Sequence, residues 1–246
     1  MQNQSDDQPI ASAYRSICQH ANPQRSLRSI LLTLAGIVSF TVASARADFT
    51  ETFSNGSDDG DWHLTNNPDR LLVIELKGGH PGAYLRGQVA DPAPTWYVPL
   101  FTPHTHFTGD FAGRGIESVS CDIKIFSGIE VPDRAVTLLV QTTFGSGDAS
   151  QGVQAYYIGT DISKLPKSWK KYAFPVHGDS FTVPDGWVVL RGDGSSGGDV
   201  DWRRLMRSVE TIGFMLGKPG FAYPALNLWD LGLDNVTISN RDRGGP

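Results

Sequence analysis

The sequence predicts an all-β protein: a jelly-roll β-sandwich of two antiparallel sheets with one short helix. Three observations carry this. After residue 48, apolar residues recur at every second position in short runs rich in β-branched and aromatic side chains. The 27 Gly and 15 Pro suit many turns between short strands. Only one stretch has helical spacing.

In chain order, strands are predicted at 48–53, 71–76, 83–87, 95–99, 118–126, 135–143, 153–158, 170–176, 187–191, 210–216 and 231–238. Turn clusters fall between them at 54–60, 77–82, 109–115, 145–152 and 192–198. The helix is predicted within 199–208 (DVDWRRLMRS), where Asp offers an N-cap and Trp202, Leu205, Met206 and Val209 share a face. Cys121 alternates with Val119, Ile123 and Ile125 and is expected to be a buried structural thiol. Two sheets of this kind bury one face each and leave the other face and the loops for function.

Residues 1–47 are predicted to be a signal peptide rather than fold. The only long apolar run, ILLTLAGIVSFTV at 30–42, has 13 residues, short of the roughly 20 that a membrane span needs. Ala45-Arg46-Ala47 is a small-x-small cleavage signal, so cleavage is expected before Asp48. An uncleaved anchor is the alternative. The product, 48–246, is read as one domain of 199 residues, secreted or periplasmic, with no second long apolar run to span a membrane. Its 17 basic and 24 acidic residues give −7, against −5 for the whole chain. That balance argues against a nucleic-acid binder, which needs a basic face. Cys18 leaves with the leader, so Cys121 has no disulfide partner.

Several motifs carry possible chemistry. Jelly-roll glycan hydrolases often place Glu-x-Asp-x-x-Glu along one strand. Glu51, Glu75, Glu117, Glu130 and Glu210, the only glutamates after the leader, lack that spacing. His104-Thr105-His106 has metal-like i, i+2 spacing but is Pro-flanked and reads as a solvated loop pair. Gly194-Ser195-Ser196-Gly197-Gly198 matches Gly-x-Ser-x-Gly, without the downstream His that a nucleophile elbow requires. Arg191-Gly-Asp193 is an integrin-type tripeptide, and the acids from Asp193 to Asp201 form a loop that is either solvated or wraps a cation. Asn55 and Asn235 open glycosylation sequons. The leader looks bacterial, so no glycans are expected there.

Aromatic residues are the remaining signal. Sugar rings present apolar faces that stack on exposed Trp or Tyr beside hydrogen-bonding side chains. Trp62, Trp169 and Trp229 fit core or turn positions. In the pairs Trp96-Tyr97 and Tyr156-Tyr157, one ring of each should point outward. A concave sheet face carrying Arg86, Trp96, Gln141, Gln154 and Tyr156 is the expected binding surface.

Phe49-Thr-Glu-Thr-Phe53 leading to Gly60-Asp-Trp62, then Gly79-His-Pro-Gly-Ala-Tyr-Leu85, form an ordered series. Phe107-Thr-Gly-Asp-Phe111, Trp169-Lys-Lys-Tyr-Ala-Phe174 and Asp234-Asn-Val-Thr-Ile238 complete it. The series resembles laminin IV-type (laminin B) domains and the galactose-binding-like carbohydrate-binding modules. His80 and Ala83 stand where the laminin IV-type pattern has Asn and Gly. The resemblance implies an extracellular binding or adhesive role. It also implies a structural calcium ion where the first and last strands meet, with Glu51 and Asp234 at matching places. The expected function is therefore a secreted, non-catalytic module that binds glycan or another extracellular surface. The alternatives are a carbohydrate-active enzyme, hydrolase or lyase, and a purely structural or adhesive protein.

Overall fold

The computed structural model describes residues 48–64, 72–91, 99–128, 134–144, 151–164, 166–219 and 227–241. Residues 1–47, expected to be a signal peptide, most of the strand expected at 95–99, and Trp96 and Tyr97 lie outside the described residues. The strands are β1 (Phe49–Glu51), β2 (His63–Leu64), β3 (Leu72–Gly79), β4 (Gly82–Asp91), β5 (Pro99–Thr102), β6 (Ile116–Ser127), β7 (Ala135–Phe144), β8 (Gln151–Asp161), β9 (Lys170–Pro175), β10 (Trp187–Arg191), β11 (Thr211–Leu216) and β12 (Asn227–Asn240). Two helical segments, α1 (Phe111–Arg114) and α2 (Trp202–Met206), complete the elements.

Sheet one runs β3-β4-β12-β6-β9, with β1 also paired to β12; sheet two runs β10-β8-β7-β11-β5-β2. Every pairing is antiparallel. The two-sheet all-β fold expected from the sequence is therefore the fold observed. The expected helix is α2: Asp201 caps it by accepting from the Arg204 amide, and Trp202, Leu205 and Met206 are fully buried. A second single turn, α1, sits in a segment read as a turn, capped by Asp110 and ended by Gly115 in the left-handed region.

Inward side chains alternate as the period-2 pattern requires. On β6, Val119, Cys121, Ile123 and Ile125 face the core, leaving Ser120, Asp122, Lys124 and Phe126 on the outer face. The sheets meet through rings such as Phe174 and Phe214, 5.9 Å apart, and Trp62, just ahead of β2, stacks on Phe214 at 5.7 Å within the same core. Burial raises the Cys121 thiol well above its ordinary pKa, which makes it an inert core group.

The long strand β12 organises sheet one. β6 pairs along one edge; the other edge is shared by β4 (at 227–233) and β1 (at 236–238). Between these partners the register of β12 against β6 shifts, and Asn235 takes a left-handed backbone (φ 48°). The extra residue carries Leu233 and Val236 inward on either side of the shift and turns Asp234 outward.

Candidate functional site

The outer face of sheet one gathers aromatic and charged groups in rows. β4 presents Tyr84, Arg86 and Gln88; β12 presents Asp230, Gly232 and Asp234; β6 presents Asp122, Lys124 and Phe126. Gly232 is the centre, with Arg86 opposite on one side and Lys124 on the other. A Cβ there would lie 2.6 Å from the Trp169 ring and 2.8 Å from the Tyr84 ring. The missing side chain is what lets the Trp169 indole lie across the strand. Trp169, just ahead of β9, is half-buried and anchored by its Nε1–H, which donates to the Gly78 carbonyl at 2.8 Å. Tyr84 meets it edge-on at 5.3 Å and touches Phe126 at 5.7 Å.

A charged cluster flanks this aromatic step on one side. Arg86 donates to both Asp230 oxygens, at 2.8 and 2.6 Å, and to Glu75 at 3.2 Å; Gln88 donates to Asp230 at 3.2 Å. The Arg86 guanidinium holds the Asp230 carboxyl below the usual carboxylate range. The guanidinium also lies 5.3 Å over the Phe126 ring, and the Lys124 ammonium 4.8 Å from it.

On the other side, Asp234 and Asp122 face one another across β12 and β6, both buried. The amides of His80 and Asn235 donate to Asp234 at 2.6 and 2.7 Å. Asn235 Nδ2 donates to Asp122 at 2.8 Å and to the His80 carbonyl, and His80 Nδ1 lies 3.0 Å from Asp122. Burial, with the Asp122 charge adding, pushes the Asp234 carboxyl up. The face thus offers an aromatic ring for an apolar surface and fixed polar groups at both ends.

The structure divides the residues expected to form the binding surface. Gln141, Gln154 and Tyr156 do come together, on the outer face of sheet two, with Gln141 opposite Gln154 and the Tyr156 hydroxyl donating to Gln154. Arg86 is not with them. It stands on sheet one, held by Asp230 and Glu75, because alternation fixes which way a side chain faces but not which sheet its strand joins. Tyr156 is only 6% exposed and packs with Leu139 and Met215 in a small second apolar cluster. Trp96 falls outside the described residues.

Glu51 and Asp234 are likewise not brought together. Glu51 lies opposite Val236 and faces the interior, whereas Asp234 faces outward. Glu51 accepts from the Phe53 amide at 2.9 Å through Oε1, and Asp58 from the Trp62 amide at 2.8 Å through Oδ2. Their other oxygens, Glu51 Oε2 and Asp58 Oδ1, are buried without a hydrogen-bond partner. Burial raises both carboxyls, and the like charges of Asp59 and Asp58 add at Glu51. Among the described residues, no three His, Cys, Asp or Glu side chains converge in a metal-holding group.

The remaining motifs resolve locally. His104 and His106 lie in a turn region with rings 4.6 Å apart. In the acidic loop, Asp193 accepts from the Ser195 amide, Asp199 pairs with Arg191 and Asp201 caps α2. Ser196 forms a bridge back to Leu190 within a run of turns, away from any strand-to-helix elbow. Sequence reasoning missed Trp169, Tyr84, Phe126 and His80 as members of one face. The signal for Tyr84 and Phe126 was the outward half of three alternating strands, Tyr84-Arg86-Gln88, Asp122-Lys124-Phe126 and Asp230-Gly232-Asp234, with a glycine at the crossing; Trp169 and His80 lie outside those runs.

No family model matches the chain, and no curated protein does. The likeness to laminin IV-type domains thus remains one of short motifs. Among solved structures, a family 11 carbohydrate-binding module from Clostridium thermocellum in complex with a β-1,3-1,4-mixed-linked tetrasaccharide is similar at 15% identity and a TM-score of 0.47, covering 80% of this chain and 98% of that one. A family 30 module of a cellulosomal cellulase of the same organism gives 13% and 0.41, covering 80% and 92%. CBM27-1 of Caldicellulosiruptor saccharolyticus in complex with mannohexaose gives 13% and 0.42, covering 78% and 97%. At these scores the likenesses carry no argument about ligand or site. No helix among the described residues is long and apolar enough to cross a membrane.

Proposed function

We propose that this protein is a secreted, non-catalytic module that binds glycan on the outer face of sheet one. The observation that carries the reading is the half-buried Trp169 side chain laid over Gly232 between two fixed polar clusters. A sugar ring stacks its apolar face on an indole and directs its hydroxyls sideways, where Arg86, Gln88, Lys124 and the His80 turn stand. The enzymatic alternative needs two carboxylates flanking an open cleft. The opposed pair here, Asp122 and Asp234, is buried and hydrogen-bonded by the His80 and Asn235 groups, which favours binding. The adhesive alternative needs a broad apolar or acidic patch. Among the described residues, the exposed large apolar side chains Val73, Leu76, Phe181 and Val188 are scattered over three segments, and the outer-face acids Asp122, Asp230 and Asp234 are each hydrogen-bonded. The test is a panel of soluble oligosaccharides that includes the mixed-linked β-1,3-1,4 tetrasaccharide and mannohexaose. Binding that needs Trp169 supports the reading, and silence across the panel removes it.

Calcium fits one part of the expected site. Glu51 Oε2 and Asp58 Oδ1 are buried carboxylate oxygens without donors, the hard oxygen ligands that calcium takes. Glu51 and Asp58 would hold the ion, with main-chain oxygens or water completing the shell. Its role there would be to neutralise buried like charge and clamp the loop after β1. Asp234, whose oxygens are occupied by the His80 and Asn235 amides on the opposite face, takes no part in this proposal.

A further inference from the structure

We infer that His80 is a second recognition group of the same face: its Nε2 accepts a hydrogen bond from a hydroxyl of the sugar next to the one stacked on Trp169. This rests on the glycan reading above. The side chain is 59% exposed, yet the residue is fixed through Nδ1 of its ring and through both of its backbone polar groups. Its Nδ1 lies 3.0 Å from Asp122 Oδ2, its amide donates to Asp234 at 2.6 Å, and its carbonyl accepts from Asn235. A carboxylate only accepts, so a neutral imidazole bound this way carries its proton on Nδ1 and leaves Nε2 as a bare acceptor toward solvent. A lone surface histidine ordinarily has no such fixed direction.

The arrangement is costly. Like charges directly opposite across a sheet destabilise it, and Asp122 and Asp234 are both buried, with Asp122 Oδ1 left without a partner. A turn that merely joins β3 to β4 needs neither acid. Trp169 is tied to Gly78, two residues from His80, and Gly232, under the indole, is two residues from Asp234 on the same face. A chain stacked on Trp169 and running toward the 78–82 turn brings its next residue to His80.

His177 is a built-in control. It is 49% exposed and paired to Glu117 at 3.1 Å, but in the segment after β9. The experiment follows each histidine of the purified protein by long-range proton–nitrogen NMR and by ethoxycarbonylation read by mass spectrometry. Both are run with and without the panel oligosaccharide that binds most tightly, and affinities are compared for the unaltered protein, Trp169→Ala, His80→Gln and His80→Ala. The expected result is an Nδ1–H tautomer at His80, slower modification of His80 but not His177 when sugar is bound, and about tenfold weaker binding for His80→Ala with partial recovery in His80→Gln. An Nε2–H tautomer, equal modification with and without sugar, or binding that needs Trp169 but not His80 overturns the assignment. If His80→Ala fails to fold, the tautomer and protection results on the unaltered protein still decide. Absence of binding to every oligosaccharide overturns the glycan reading itself and the assignment with it. That outcome is distinct from binding indifferent to His80.

Discussion

On the outer face of sheet one, Trp169 lies half-buried across Gly232 among charged groups, and Glu75, Asp122, Asp230 and Asp234 each accept at least one hydrogen bond. On the outer face of sheet two, Leu139, Tyr156 and Met215 also point away from the core, yet they are 8%, 6% and 1% exposed. Both faces follow the same alternation. An outward direction therefore does not by itself make an aromatic ring available. What frees Trp169 is a neighbour without a side chain, and what withdraws Tyr156 is an apolar cluster plus a hydroxyl already bonded to Gln154.

The strongest way to break this contrast is to truncate a ring on the covered face. Tyr156→Ala is expected to cost about 3–5 kcal/mol of stability, as for other buried aromatic residues, and to leave glycan affinity of the folded fraction unchanged. Denaturant unfolding beside the oligosaccharide titration checks both halves. A loss of affinity without loss of stability would move the site to sheet two.

Next in size is calcium. Free ion at about a hundred times its Kd should stabilise the protein by roughly 2.7 kcal/mol. In a domain of this size that raises Tm by roughly 5–10 °C. Glu51→Gln should abolish the shift, and Asp234→Asn should not. The pH dependence has a definite sign. Glu51, Asp58 and Asp234 have raised folded pKa values, so the stability they contribute is present below their ordinary values and lost as pH rises through the folded ones. Without calcium, melting temperature should therefore climb as pH falls from neutral into that range. Asp230 runs the other way. Its lowered pKa gives stability above its ordinary value that is lost as pH falls through the folded one, and Arg86→Gln should remove that acid limb.

Gly232→Ala sharpens the comparison from the open face. The new methyl collides with Trp169 and Tyr84, so about 1–3 kcal/mol should be lost together with glycan binding. The smallest effect belongs to Arg191→Ala. It breaks the exposed pair with Asp199, and calorimetry should record an unchanged Tm.

Much of the fold was legible because it is local. The strand expected at 187–191 has those bounds, and the Asp-capped helix formed around Trp202, Leu205 and Met206. β2, with two residues, and α1, with one turn, are too short to display a period. The site was legible only by halves. Alternation marked Arg86 as outward, but its sheet is set by non-local pairing with β12. Asp234 shows the same limit more sharply. In regular register it would share a face with Val236, and so with Glu51. One extra residue at Asn235 sends it to the other side, and nothing in the residue types announces that bulge.

The central claim is that glycan binds across Trp169. Affinity electrophoresis of the purified protein and of Trp169→Ala, in gels containing soluble polysaccharides, tests it most directly. At least one polysaccharide should retard the protein, and Trp169→Ala should bind about tenfold or more weakly with an intact fold. Retardation unchanged by Trp169→Ala, or none with any polysaccharide, would contradict it.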